Sequence, residues 1–113
     1  MITNSKDFLG KSVNVVVDRP IGSKHIKYDF IYEVNYGYVP NTKSPDGDEL
    51  DVYVLGITKP VTEFTGICIA VIHRTNDDDD KLIVVPEGVE MSDDKIESLT
   101  KFQEKWFEHT IIN

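Results

Sequence analysis

The sequence predicts a mainly β domain: a small five-stranded antiparallel barrel of the OB type, with one C-terminal helix packed on it. Three observations carry that expectation. Short β-branched runs recur at close spacing, Pro and Gly punctuate them, and a single segment near the C-terminus has helical periodicity. With 113 residues, the chain reads as a single domain over 1–113, long enough for one core.

The elements follow in order. "SVNVVVD" (12–18) alternates, with Val13, Val15 and Val17 on one face. Pro20 and Gly22 in "RPIGSK" break it. "HIKYDFIYEV" (25–34) alternates again, setting Lys27, Asp29 and Ile31 against Ile26, Tyr28, Phe30 and Tyr32, and predicts a second strand. "NYGYVP" is a short extended piece ended by Pro40, and "NTKSPDGDE" is a turn-rich loop. "LDVYVLG" (50–56), "TGICIAVIHR" (65–74) and "KLIVVPE" (81–87) complete five or six strands. "SDDKIESLTKFQEKWFEH" (92–109) predicts the helix. Ser92 is its N-cap, acids fill its first turn, and Ile96, Leu99, Phe102, Trp106 and Phe107 form a stripe that reads as core packing.

Charge and composition narrow the function. A net charge of −8 disfavours nucleic-acid partners, which want a basic face, but admits a phosphate substrate if metal ions reverse the local field. The single cysteine, Cys68, sits in the apolar run "GICIAVI" and reads as a buried thiol suited to a reducing cytoplasm. No run approaches a membrane span, and "MITNSKDFLGKS" lacks the apolar stretch of a signal peptide, so a soluble cytoplasmic protein is expected.

Two acidic clusters stand out. Asp46, Asp48 and Asp51 crowd the entry of a strand, and Asp77, Asp78, Asp79 and Asp80 precede Lys81. The second run is also a good solvated hairpin tip. The first is harder to explain by solvation, because Asp51 adjoins Leu50 and Gly47 allows several carboxylates to turn the same way. Two carboxylates about 5 Å apart repel by roughly 3 kcal/mol at an effective dielectric of about 20. A cluster must therefore protonate or hold a cation, and oxygen-only ligands favour magnesium, manganese or calcium. An EF-hand is excluded, since Leu50 and Asp51 stand where its loop needs an acid and a glycine. Lys27, Tyr28, Tyr32, Tyr36, Tyr38 and Lys81 supply cations and hydroxyls suited to phosphate oxygens, although any one tyrosine serves equally well in packing.

"NYGYVP" followed by "DGDELDVYVLG" resembles the signature of the soluble family I inorganic pyrophosphatases. "VVVDRP", "IKYD", the "DDK" before "LIVVP", and "FEH" extend the resemblance in order along nearly the whole chain. It implies magnesium-dependent hydrolysis of pyrophosphate to two phosphates by a metal-activated water, with Mn2+ a possible substitute. Asp46, Asp51 and Asp79 would hold the activating ions, Asp51 bridging them, and Asp48 would be the base. Asp18 and Asp29 would lie near outer ions, where the family usually has glutamates. Lys27, Tyr36 and Lys81 would grip phosphate during catalysis, with Tyr32 lining the site. The first acid position of the second loop falls on Asn76 or Asp77. A cytoplasmic homo-oligomer is implied, with no nucleic-acid or membrane partner.

This chain also departs from the pattern. "YDFIYEVNYGY" runs straight on where the family carries an arginine on a hairpin, and Thr110-Ile111 follow "FEH" where it carries a Tyr-Lys pair. Two lost charge-assisted bonds of about 1.5–3 kcal/mol each imply a loss on the order of 10²–10⁴ in transition-state binding. Two alternatives therefore stand beside pyrophosphate: another phosphoanhydride such as a nucleotide, and a catalytically silent member that binds phosphate or metal.

Overall fold

Alternation at 12–18 builds the first strand as expected: Val13, Val15 and Val17 are buried while Ser12, Asn14 and Asp18 face solvent. The computed structural model describes residues 3–44, 47–75 and 79–113. After a 3₁₀ turn at Ser5–Phe8, the described elements are β1 (Ser12–Arg19), β2 (Asn35–Val39), β3 (Leu50–Val54), β4 (Glu63–Arg74), β5 (Asp80–Val85), α1 (Asp93–Glu104) and β6 (His109–Ile112). The pairings β1–β2, β2–β3, β3–β5, β5–β4 and β4–β1 close a five-stranded barrel; β3–β5 is parallel and the others antiparallel. Strand β4 is the longest because it serves three neighbours. Glu63–Ile67 pair with β1, Val71–Arg74 pair with β6, and the other edge pairs with β5.

Side-chain parity then makes two cores. Leu50, Val52 and Val54 of β3, with Leu82 and Val84 of β5 and the β1 valines, fill the barrel interior. Tyr53, Leu55, Ile83, Val85 and Ile72 point outward, where Ile96 and Phe102 of α1 and the segment Tyr32–Val34 cover them. Cys68 lies in the interior core, fully buried, and burial pushes its thiol up to about 11.

Two residues of "NYGY" act structurally. The buried Asn35 side chain accepts from the N–H groups of Ile21 (3.1 Å) and Val61 (3.3 Å) and donates to the Lys59 carbonyl (3.0 Å), tying three segments together. Gly37 lies opposite Val17 where β1 and β2 press together, and a Cβ there would stand 1.9 Å from the Val16 carbonyl oxygen.

Two expected elements differ. Residues 25–34 form no strand; Lys24 and Ile31 make an isolated bridge, and the chain between them folds on itself. The His25 Nδ1 accepts from the N–H groups of Lys27 (3.0 Å) and Tyr28 (3.1 Å), so the backbone is satisfied locally and needs no partner strand. The helix begins at its predicted cap, with the Ser92 Oγ accepting from Lys95 N (3.2 Å), but ends at Glu104. The β-branched Thr110, Ile111 and Ile112 instead pair with β4 as β6. Trp106 consequently leaves the core stripe and is 57% exposed.

Candidate active site

The parity that packs α1 on the barrel also assembles a charged floor beside it. Asp51 of β3 pairs in parallel register with Lys81 of β5, so the two side chains lie abreast on the outward face. Asp79, two residues before Lys81, shares that face. The Lys81 Nζ donates to Asp51 Oδ2 (2.7 Å) and Asp79 Oδ2 (2.9 Å). Tyr36 of β2 lies opposite Tyr53, with its ring 5.6 Å from the Lys81 ammonium. Tyr32 stacks on Tyr36 at 5.4 Å. Asp51, Lys81, Tyr36 and Tyr32 line a cleft of about 1040 Å³, together with Asp18, Arg19, Lys27, Asp29 and Arg74, and Asp79 adjoins it through its bond to Lys81.

Burial would push the Lys81 ammonium down, but the Asp51 and Asp79 carboxylates outweigh it and hold its pKa above the ordinary lysine value. Asp51 is raised, first by burial and further by Asp79, against the opposing pull of Lys81. One ammonium thus serves two carboxylates. Burial likewise raises Tyr36 well above the usual phenol value, which keeps its hydroxyl a donor.

A buried network supports this floor. Arg74 donates its Nε (2.9 Å) and one terminal nitrogen (2.8 Å) to the two oxygens of Glu104, which is fully buried on α1. The Tyr53 hydroxyl donates to Glu104 (2.6 Å) and accepts from Gln103 Nε2 (2.6 Å). Another Arg74 nitrogen lies 3.5 Å from Asp79, and its guanidinium stacks over Phe107 at 3.7 Å. Burial opposes ionisation of Glu104, but the bonds from Arg74 and Tyr53 prevail and lower its pKa.

Of the predicted site residues, Asp51, Asp79, Lys81 and Tyr36 meet directly, while Asp18, Lys27, Asp29 and Tyr32 line the same cleft. Asp29 is nearly fully exposed and pairs with Lys24 at 3.3 Å. Asp48 is exposed and is not among the residues that line the cleft. Asp46, Asn76 and Asp77 lie outside the described residues. Gly47, at φ +93°, occupies the left-handed conformation expected of it. Asp80 faces away from Asp79; it accepts hydrogen bonds from His73 Nδ1 (2.6 Å) and the Ser5 hydroxyl.

Sequence reasoning missed Arg74, Tyr53, Gln103 and Glu104. Glu104 carried a usable signal, since it falls one turn after Thr100 and two turns after Ile96 on the buried side of α1.

The donor chemistry fits a hard divalent cation in kind, because Asp51 and Asp79 aim carboxylate oxygens at one point, which the Lys81 ammonium now holds. Among the described residues, no group of three or more His, Cys, Asp or Glu side chains is placed to hold a metal ion.

An outward-facing acid pair beside an OB-like barrel thus stands with lysine, tyrosine and arginine around it. Residues 8–111 match the family model described as inorganic pyrophosphatase, and the chain belongs to that family. The inorganic pyrophosphatase of Brucella melitensis is 33% identical over 98 residues, a match covering 67% of this chain and 55% of the relative. This chain thus spans about half the length of that protein. The Rickettsia prowazekii inorganic pyrophosphatase is 29% identical over 126 residues, covering 86% of this chain and 73% of its own. That match is longer than the 113-residue chain, so the relative carries residues inside it that this chain lacks. Among solved structures, the Helicobacter pylori inorganic pyrophosphatase superimposes with a TM-score of 0.70 at 19% identity, covering 90% of this chain and 84% of that one. The Ehrlichia chaffeensis enzyme gives 0.68 at 21% identity, covering 96% and 86%. These two likenesses bear on the fold. No helix among the described residues is long and apolar enough to cross a membrane.

Proposed function

We propose that this chain hydrolyses inorganic pyrophosphate to two phosphates with the help of a divalent cation, Mg2+ by preference. The observation that carries the reading is the pair of carboxylates, Asp51 and Asp79, sharing the single ammonium of Lys81. That arrangement concentrates carboxylate oxygens beside hydroxyl, ammonium and guanidinium donors suited to phosphate. Asp51 and Asp79, joined by Asp46, would hold the cation, and Asp18, which lines the same cleft, would lie near outer ions. A divalent ion bound there supplies charge neutralisation for the substrate and makes water acidic enough to attack phosphorus.

The chain's own groups do the rest. Lys81 and Arg74 present N–H donors to the phosphate oxygens, and their positive charge stabilises the departing phosphate. The Tyr36 hydroxyl stays protonated and donates a further hydrogen bond. Lys27, exposed at the mouth, reaches the outer phosphate. Tyr32 and Phe107 wall off bulk water, which strengthens each of these contacts. The buried Cys68 thiol supports a working place in a reducing cytoplasm.

Phosphate release from pyrophosphate in Mg2+, Mn2+, Ca2+ and chelator tests the reading. Release is expected with Mg2+ and, more weakly, with Mn2+. No release with any ion sinks the hydrolytic reading and leaves a binding protein.

A further inference from the structure

We propose that the same cleft accepts a nucleoside diphosphate, with its phosphates on the charged floor and its base against an aromatic rim. The inference rests on the phosphate reading of the floor given above and adds the rim to it. Among the described residues, the exposed large hydrophobic side chains are Ile26, Tyr28, Ile31 and Trp106. Three of them, Ile26, Tyr28 and Trp106, line this cleft. Tyr28 and Trp106 are linked into one aromatic wall by His25 and Phe30: His25 stands 5.0 Å from Tyr28 and 4.8 Å from Phe30, and Phe30 stands 5.7 Å from Trp106.

Pyrophosphate is a small ion without apolar surface, so such a wall offers it nothing. The cleft, about 1040 Å³, is slightly larger than the roughly 300–1,000 Å³ typical of small-molecule sites. Exposed apolar surface grouped at a polar cleft marks a ligand with a flat apolar end and an anionic end. A nucleoside diphosphate has both. Arg19 and Lys27 also line the cleft and can donate to phosphate oxygens, with Asp18 and Asp29 in the same wall.

The reaction on this substrate balances as it does for pyrophosphate. The water oxygen forms the new bond to the terminal phosphorus, and the bridging P–O bond breaks. The nucleoside monophosphate leaves with the electron pair, and the proton of the water passes to solvent.

Trp106 is the chain's one tryptophan, so its fluorescence reports the rim alone. ADP is expected to quench that emission saturably, and pyrophosphate at equal concentration is expected to leave it unchanged. In phosphate-release assays, Trp106→Ala should lower the kcat/KM ratio of ADP over pyrophosphate about tenfold, and Trp106→Phe should restore most of it. Pyrophosphate turnover without any ADP response overturns this inference and leaves the pyrophosphatase reading standing. ADP quenching without release from either substrate supports the rim and sinks the hydrolytic reading of the floor. Emission that shifts with protein concentration and ignores ADP marks the rim as a contact between copies of the chain, and overturns the proposal.

Discussion

Lys81 carries one positive charge between two carboxylates, so its removal has a predictable sign. In Lys81→Met, Asp51 and Asp79 lose the ammonium they share, and their mutual repulsion destabilises the fold at neutral pH. Mg2+ should then raise the melting temperature by more than it does in the native chain, because it repairs a larger charge deficit. Thermal melts of both proteins with and without Mg2+ check this. Equal melts, unmoved by the ion, would contradict the assignment of these carboxylates. Other residues in the motif separate cleanly by what they touch. Tyr36 lies in the cleft wall, whereas Asn35 and Gly37 hold the chain in place. The motif "NYGY" was legible as a unit, but the division of labour inside it was not, because strand crossings are not written in a local pattern.

Elements are joined by the pair Arg74–Glu104, which fastens β4 to α1 under the floor. Arg74→Ala strands a fully buried carboxylate and should cost about 3–5 kcal/mol in urea unfolding. The double variant Arg74→Met, Glu104→Leu should lose less than the two single losses combined, since neither charge is left unpaired. Strict additivity would show that the two side chains are independent. A second tie lies at the start of β6, where His109 Nε2 sits 2.9 Å from both Glu97 oxygens and its Nδ1 lies 3.0 Å from the Phe107 carbonyl. Burial opposes the charged imidazole, but these partners outweigh it and raise its pKa above 6.5. The stability it contributes is therefore complete below pH 6.5 and is lost as pH rises through the raised value. Melting temperatures across that range should fall in the native chain and stay flatter in His109→Gln; parallel profiles would remove His109 from the account. These ties explain the two misread segments. Short β-branched, apolar runs located β1, β3, β4 and β5, whereas residues 25–34 alternate yet turn back on His25, and the helical pattern past Glu104 gives way to a turn and then to β6.

At the scale of the whole molecule, the barrel supplies rigidity and one outward face supplies chemistry. Barrel closure sets Asp51, Lys81, Tyr36 and Arg74 side by side from four strands, and α1 supplies the carboxylate that anchors the arginine. The meeting of Asp51, Asp79, Lys81 and Tyr36 was legible from the acidic loops and the tyrosine motif. Arg74 and Glu104 were not, because they lie 30 residues apart and meet only through the packing of helix on barrel. The most direct test compares phosphate release by the native chain and by Asp51→Asn in the presence of Mg2+, with circular dichroism to verify the fold. The account predicts metal-dependent release in the native chain and its loss, by at least about a hundredfold, in the folded variant. A folded Asp51→Asn chain that turns over pyrophosphate at the native rate would contradict it.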